Sequence, residues 1–480
     1  MTGDITIPLW FFLLLLIVTI LAVLDRILIP STRWFLRRRI NRVIDEIGSR
    51  LDIGIRPFQL TKRQVLIDRL VYDTEVVEAI QDHARTHEMP LELAQNKAMR
   101  YAREIVPSFN AYLYFRIGYW VAKRVARLLY RVRVGLIDND RFVAIDPEAT
   151  VVFVMNHRSN MDYVLVAFLA AERTTLSYAV GEWAKVWPLQ MLIRAMGAFF
   201  VRRRSGNPLY RRVLERYIHM ATREGVCQAI FPEGRLSRDG RLQPPKLGLI
   251  DYMLRHYNMD TDRDIVFIPV GINYDRVIED RSLVRAQDTS AEKRSIGYVF
   301  YTTSRFLLRN LMLMIFSRWR HYGYAVVNFG APLSIRKYCR EYNVRFNRLE
   351  REPRFAEVER LSRWLMKAIA DVVPLLPVSI LAKILLDAGD TPIDFSRIEA
   401  MGNRLWEELR AKGAPVVDVS RSTRTQILAD TIDFLLMRHL IVRREDGFSA
   451  APGEAPLLAY YANAIGHWWA TQDGDRTAPS

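Results

Sequence analysis

Residues 151–162 read Val151-Val152-Phe153-Val154-Met155-Asn156-His157-Arg158-Ser159-Asn160-Met161-Asp162. The apolar run at the front predicts a buried strand, because it leaves no polar face for water. A helical pattern begins near Tyr163, so His157 and Asp162 fall on the turn between strand and helix. Open α/β sheets put their chemistry at such turns. A carboxylate beside a histidine fixes its tautomer and stabilises the imidazolium, which is the arrangement of a general base. The spacing is too wide for the two side chains to stack on one helix face, so the turn has to bring them together. The nearby helix start favours the neutral imidazole that a base requires. Taken alone, the pair reads more readily as a helix cap, with Asp162 at the N-cap.

Three stretches follow in order. Met196-Gly197-Ala198-Phe199-Phe200-Val201-Arg202-Arg203-Arg204 is a strand-like piece ending in arginines. Clustered guanidinium groups are costly unless they face water or an anion; a solvated basic turn is the plain alternative. Phe231-Pro232-Glu233-Gly234-Arg235-Leu236-Ser237-Arg238-Asp239-Gly240 follows the apolar run 226–230. Gly234 permits close backbone approach. Arg235, Ser237 and Arg238 offer donors for phosphate oxygens, and Glu233 can orient a substrate hydroxyl or an arginine. A polar hairpin loop is the alternative, since Asp239-Gly240 is a turn signal. Val266-Phe267-Ile268-Pro269-Val270-Gly271-Ile272-Asn273-Tyr274 reads as a buried strand, and Pro269 inside it argues for a strand end or edge.

The chain has 480 residues, 50% of them hydrophobic, enough for more than one domain with a sizeable core. A formal net charge of +16 points to an anionic partner: nucleic acid, an anionic membrane surface or a phosphorylated metabolite. Cys227 and Cys339 cannot build a zinc or disulfide framework and suit a reducing compartment. No nucleic-acid reading motif is present. A serine hydrolase using Ser159 would need the Gly-x-Ser-x-Gly elbow, which this sequence lacks.

From Ile7 to Leu24 no residue is charged, about the least length for a membrane span. Arg26, Arg33, Arg37, Arg38, Arg39 and Arg42 follow it, whereas Asp4 alone precedes it. The positive-inside rule then puts the bulk of the chain on the cytoplasmic side of the cell (inner) membrane, behind one amino-terminal span. A cleaved signal peptide would carry its charges on the other side. The expected organisation is an anchor at 1–30, a helical region at 31–105, an α/β domain at 106–345 and a helical region at 346–480. Strands are expected at 151–155, 226–231, 265–270 and 324–329, alternating with helices, which favours an α/β layered domain. The clearest carboxy-terminal helices are expected at 364–369 and 426–437. Two basic, aromatic amphipathic stretches, 112–130 and 306–319, fit a membrane interface.

Together the ordered elements resemble the glycerolipid acyltransferases, which share a His-x4-Asp block, an arginine block after a Gly-x-Phe-Phe-like strand, a Glu-Gly-x-x-Ser-Arg block and a proline-containing strand block. Asn156-His157-Arg158-Ser159-Asn160-Met161-Asp162-Tyr163, Ile272-Asn273-Tyr274-Asp275-Arg276-Val277 and Pro456-Leu457-Leu458-Ala459-Tyr460-Tyr461-Ala462-Asn463-Ala464-Ile465 are similar to the versions in glycerol-3-phosphate and dihydroxyacetone-phosphate acyltransferases. The resemblance implies a mixed central sheet flanked by helices. It also implies transfer of a fatty acyl group from acyl-CoA or acyl-carrier protein to the sn-1 hydroxyl of glycerol 3-phosphate, with dihydroxyacetone phosphate or lysophosphatidate as alternative acceptors. His157 would be the base and Asp162 its holder. Arg202, Arg203, Arg235, Ser237 and Arg238 would hold the phosphate, Glu233 and Gly234 would shape that pocket, and Pro269 joins the substrate-binding set. No metal or other cofactor is implied. One position departs from the family: Leu236 stands where an arginine is usual.

Overall fold

The computed structural model describes residues 56–135, 139–170, 175–181, 189–202, 205–287, 322–416 and 423–469. The expected anchor, the stretch 306–319 and Arg203 lie outside these residues. Helices α1 (Arg63–Val71), α2 (Thr74–Thr86) and α3 (Leu91–Ile105) come first. A π-helical segment, Leu113–Gly118, runs into α4 (Tyr119–Leu129). Strands and helices then alternate: β1 (Arg131–Val134), β2 (Thr150–Met155), α5 (Met161–Ala170), β3 (Ser177–Gly181), α6 (Leu189–Ala195), β4 (Phe199–Val201), α7 (Pro208–Arg223), β5 (Gln228–Ile230), α8 (Gly248–Leu254), β6 (Ile265–Tyr274), α9 (Asp280–Arg285), β7 (Tyr324–Phe329) and β8 (Leu333–Ser334). After them come α10 (Ile335–Glu341), α11 (Arg351–Val372), α12 (Pro377–Ala388), α13 (Phe395–Ala411), α14 (Arg424–Met437), the hairpin β9 (Ile441–Arg444) and β10 (Gly447–Ala450), and α15 (Ala455–Ala462).

The main sheet has the order β1-β7-β6-β2-β5-β3-β4, with β8 beside the first half of β6. From β6 through β2, β5 and β3 to β4 every neighbour is parallel, whereas β7 and β8 run against β6. The sheet is therefore mixed, flanked by helices. Its central strands β2, β5 and β6 are buried throughout because both faces are covered. In β2, Val151, Phe153 and Met155 enter one core, while Val152 and Val154 enter the other. Helices α4, α5, α12, α13, α14 and α15 contribute to the first core; α1, α2, α3, α7, α8, α10 and α11 contribute to the second. Both ends of the described chain thus serve one sheet. Local rules agree with this layout. Asn207 caps α7 by accepting the Tyr210 N–H at 3.1 Å, and Pro208 fits the first helical position.

The sheet holds more strands than the apolar runs suggested. Strands β1, β3 and β8 and the hairpin β9–β10 were not expected, whereas β6 covers the whole of the 266–274 stretch that reads as a buried strand. Strand β1 is Arg-Val-Arg-Val and mostly exposed, so it lacks an apolar run; in β3 Ser177 and Gly181 flank a run of only Tyr-Ala-Val, and β8 has two residues. The expectation for Pro269 needs correction. It lies inside a central strand, opposite Val154 of β2. On its other side β8 pairs with Val266 and Phe267 and β7 begins pairing at Val270, so the missing N–H falls where one neighbour ends and the next begins. Its carbonyl accepts the Gly330 N–H in that gap, at 2.8 Å.

Gly271, two residues further along β6, meets the end of α11. A Cβ there would come within 2.3 Å of the Val372 carbonyl oxygen, a backbone atom that cannot swing aside. Gly271→Ala is therefore expected to destabilise the chain by about 1–3 kcal/mol through overpacking. Urea denaturation of the two chains measures it, and an unchanged midpoint would show that α11 yields at this contact.

Candidate active site

The parallel strands end at one edge of the sheet, and the turns after β2, β5 and β6 meet there. Asn156 extends the β2–β6 ladder with its side chain. It donates to the Ile272 carbonyl at 2.9 Å and accepts the Ile272 N–H at 2.8 Å. The next residue, His157, is thereby fixed at the strand end. Its side chain is buried, as is that of Asp162 on the first turn of α5. His157 Nδ1 lies 2.9 Å from Asp162 Oδ2. The same oxygen accepts the N–H groups of Arg158 and Ser159 at 2.7 and 3.0 Å, and Asp162 Oδ1 accepts the Tyr274 hydroxyl at 2.5 Å. An acceptor at Nδ1 means Nδ1 carries the proton, leaving Nε2 with its lone pair. That Nε2 is buried and has no hydrogen-bond partner among the described residues. Phe231 stacks on the imidazole with ring centroids 4.0 Å apart, and Tyr163 meets it edge-on.

Glu233, after β5, is also buried. Its Oε1 accepts the His157 N–H and its Oε2 the Gln243 N–H, both at 2.9 Å. Burial pushes its carboxyl up to about 7, with those two donors pulling the other way. The Ser237 N–H donates to the His157 carbonyl at 3.0 Å. The Glu-Gly loop thus grips both backbone groups of His157. Gly234 takes a left-handed conformation, φ +67°, and is exposed.

The phosphate-binding set does not converge in the same way. Arg202 forms a two-point ion pair with Glu104, at 2.9 and 2.6 Å, and its guanidinium stacks on Tyr101 and Tyr210. Its charge is already matched by Glu104. The Ser237 hydroxyl turns inward, donating to the Arg241 carbonyl at 2.7 Å, so it too is engaged within the loop. Arg235 and Arg238 are exposed, and neither has a carboxylate partner among the described residues. Pro269 sits in mid-strand, as above. Residues outside the predicted set also bear on the pair: Tyr274 on Asp162, Phe231 on His157, and Arg158, buried with its guanidinium 4.8 Å over the Tyr460 ring. Their motif neighbours were legible, but contacts between distant segments leave no spacing signal.

Among the described residues, Glu75, Glu215 and His256 bring two carboxylate oxygens and an imidazole nitrogen within 4.8 Å of one another. Arg212 bonds both carboxylates, at 2.9 and 3.0 Å, and Arg255 lies 2.7 Å from Glu215. Those cations fill the sites a metal would take, so the group is an ion-pair network.

Two family models match the chain: Acyltransferase over residues 137–273, and glycerol-3-phosphate acyltransferase C-terminal region over 310–472. A glycerol-3-phosphate acyltransferase of Pseudomonas putida is 26% identical over 86% of this chain and 49% of its own length. That of Pseudomonas entomophila is 30% identical over 70% and 40%, and that of Xanthomonas campestris pv. campestris 28% over 90% and 48%. The chain thus spans about half the length of the curated relatives it matches, or less. The crystal structure of a 1-acyl-sn-glycerophosphate acyltransferase from Thermotoga maritima aligns with 53% of this chain and 78% of its own at 16% identity, with a TM-score of 0.29, too loose a likeness to bear on the fold.

Asp275, just past β6, yields a pH test. Its Oδ2 accepts the Tyr324 N–H at 2.7 Å and its Oδ1 has no partner. Burial pushes its carboxyl from 3.8 up to about 7. The folded chain therefore holds this proton more tightly than the unfolded one. Its contribution to stability is full below the unfolded value and is lost as the pH rises through the folded one. Asp275→Asn keeps the acceptor and removes the titration. Between about pH 5 and about pH 8 the variant should gain on the wild type by on the order of 2 kcal/mol. Urea denaturation at the two pH values measures it, and a constant difference would refute the assignment.

Proposed function

The chain belongs to the glycerolipid acyltransferases that carry the His-x4-Asp motif, and from that premise we propose that it transfers a fatty acyl group from a thioester to the sn-1 hydroxyl of glycerol 3-phosphate. The observation that carries the reading is the buried His157 whose Nδ1 is committed to Asp162 and whose Nε2 is unpartnered. In this reading Nε2 takes the proton of the acceptor hydroxyl as its oxygen attacks the thioester carbonyl. The C–S bond breaks, and the proton on Nε2 passes to the leaving thiolate. The products are the ester, lysophosphatidate, and the free thiol of CoA or carrier protein. No covalent enzyme intermediate is required. Asp162 stabilises the imidazolium while it lasts; general-base help of this kind is worth roughly 10²–10⁴-fold. Arg235 and Arg238, exposed and free of carboxylates among the described residues, are the cations we assign to the phosphate.

We assign the enzyme to the cytoplasmic face of the cell membrane. No helix among the described residues is long and apolar enough to cross a bilayer. The support comes from the charge asymmetry around residues 7–24 and from the segment before β1. There Ile117, Trp120 and Val121 are exposed, and the cations of Lys123 and Arg124 lie over the rings of Tyr119 and Trp120. Apolar tips with basic neighbours suit an anionic lipid surface. Trp120→Ser should therefore weaken retention on phosphatidylglycerol-containing vesicles relative to the same chain unmutated, measured by flotation. Equal retention would remove this segment from the membrane contact.

The reaction is tested by radiolabelled acyl transfer on membranes, comparing glycerol 3-phosphate, dihydroxyacetone phosphate and lysophosphatidate, each with CoA and carrier-protein thioesters. Glycerol 3-phosphate should be the best acceptor. His157→Ala should abolish transfer with melting behaviour preserved; turnover near the wild type would rule the mechanism out. Arg238→Ala should raise KM for the phosphorylated acceptor well above any change for the acyl donor, and equal changes would take Arg238 out of the phosphate site.

A further inference from the structure

Glu279 belongs to none of the motif blocks. It lies between the end of β6 and the start of α9. Its Oε2 accepts the Ser159 hydroxyl at 2.7 Å, and its Oε1 accepts the Asn160 N–H at 3.2 Å and the Asn160 side-chain amide at 3.0 Å. Ser159 Oγ in turn accepts the Met161 N–H at 3.1 Å. These bonds fix the arc of chain between His157 and Asp162. Asp162 holds the same arc from within, through the N–H groups of Arg158 and Ser159. Two carboxylates therefore define one turn, one from each side.

The next residue, Asp280, points the other way. Its carboxylate is buried and takes hydrogen bonds from the Arg438 guanidinium and the Tyr461 hydroxyl. That hydroxyl also accepts from Arg438 at 3.0 Å and from the Val277 N–H at 3.1 Å. Arg438 follows α14 and Tyr461 lies in α15, both in the carboxy-terminal region. The peptide bond between Glu279 and Asp280 thus joins that region's buried ion pair to the catalytic turn. Tyr460 adds a second hold, with its ring under the Arg158 guanidinium and its hydroxyl 3.3 Å from the Arg158 carbonyl.

We propose that Glu279 is a positioning residue for the His157–Asp162 pair, and that the carboxy-terminal helices set the geometry of the reaction through the Glu279–Asp280 step. The inference rests on the acyl-transfer reading above. It gives those helices a task that their sequence does not announce. A shift of the turn moves Nε2 away from the attacking hydroxyl. It need not weaken binding of either substrate, because Glu279 reaches only the turn.

The test uses the full chain in membranes. Glu279→Ala should lower kcat by about 10- to 100-fold, the cost of misplacing a reacting group by about an ångström, with both KM values changed by no more than about twofold. Glu279→Gln should recover most of the rate. Its amide oxygen still accepts both Asn160 donors and its NH2 can donate to Ser159 Oγ. Tyr461→Phe should lower kcat in the wild type but add little to Glu279→Ala, as coupled positions do. Carbethoxylation of His157, followed by peptide mass, gives a readout independent of turnover: its rate should change in Glu279→Ala and return in Glu279→Gln. Full kcat in the alanine variant, a loss confined to KM, or multiplying losses with Tyr461→Phe would each overturn the proposal. A wild-type chain that moves no acyl group would sink the functional reading, and the labelling rates would still decide this one.

Discussion

The Asp162 carboxylate is the constraint from which the rest of the site follows. It is fully buried, and among the described residues no lysine or arginine side chain bonds to it. A carboxylate in that state is expensive unless donors surround it. Each donor comes with a structural demand. The N–H groups of Arg158 and Ser159 require a tight turn straight after β2. The Tyr274 hydroxyl requires β6 to lie beside β2 and to run past it. The imidazole of His157 then takes the remaining direction, which fixes its tautomer and leaves Nε2 facing away. Satisfying a buried acid is thus what leaves the imidazole in the state that the proposed base requires.

The strand order supplies these demands. Strand β2 lies between β5 and β6, all parallel, so three strand ends open side by side. One neighbour brings Glu233 and the stacked Phe231; the other brings Tyr274 and, a few residues on, Glu279. The motif blocks are scattered over more than a hundred residues of sequence, yet the sheet makes neighbours of their ends. Gly271 belongs to the same logic, since it lets α11 press its last carbonyl onto β6 where a side chain would hold it off.

Legibility followed burial and locality. Strand β2 and the turn after it could be read because a continuous apolar run and an acid close to a histidine are local signals. Strand β7 was legible for the same reason. Strand β1 was not, because Arg131 and Arg133 face water and break the apolar pattern. Pro269 misled in part: proline argues for an edge, and this sheet provides the equivalent of an edge within its centre, where β8 stops and β7 starts. Tyr274 and Glu279 could be seen in the sequence but not their role, because a hydrogen bond spanning over a hundred residues leaves no periodicity behind.

The arginines show where reading charge from sequence reaches its limit. A net charge of +16 suggests cations waiting for anions. Many of the guanidinium groups are instead spent inside the protein. Arg202 is held by Glu104, Arg354 by Asp251, Arg438 by Asp280, and Arg216 by Asp73 and Glu75. Pairing of this kind is invisible in a charge count, since it depends on which acids the fold brings near. What separates Arg235 and Arg238 from the others is exposure beside a loop whose backbone grips His157. Leu236, between them and half-buried, adds no charge of its own. In the proposed reaction the grip on the phosphate falls to the exposed side chains on either side of Leu236, while the histidine proposed as base is buried. Under that proposal, exposed cations beside a buried histidine suit an acceptor that must enter, be oriented and leave carrying a hydrocarbon chain.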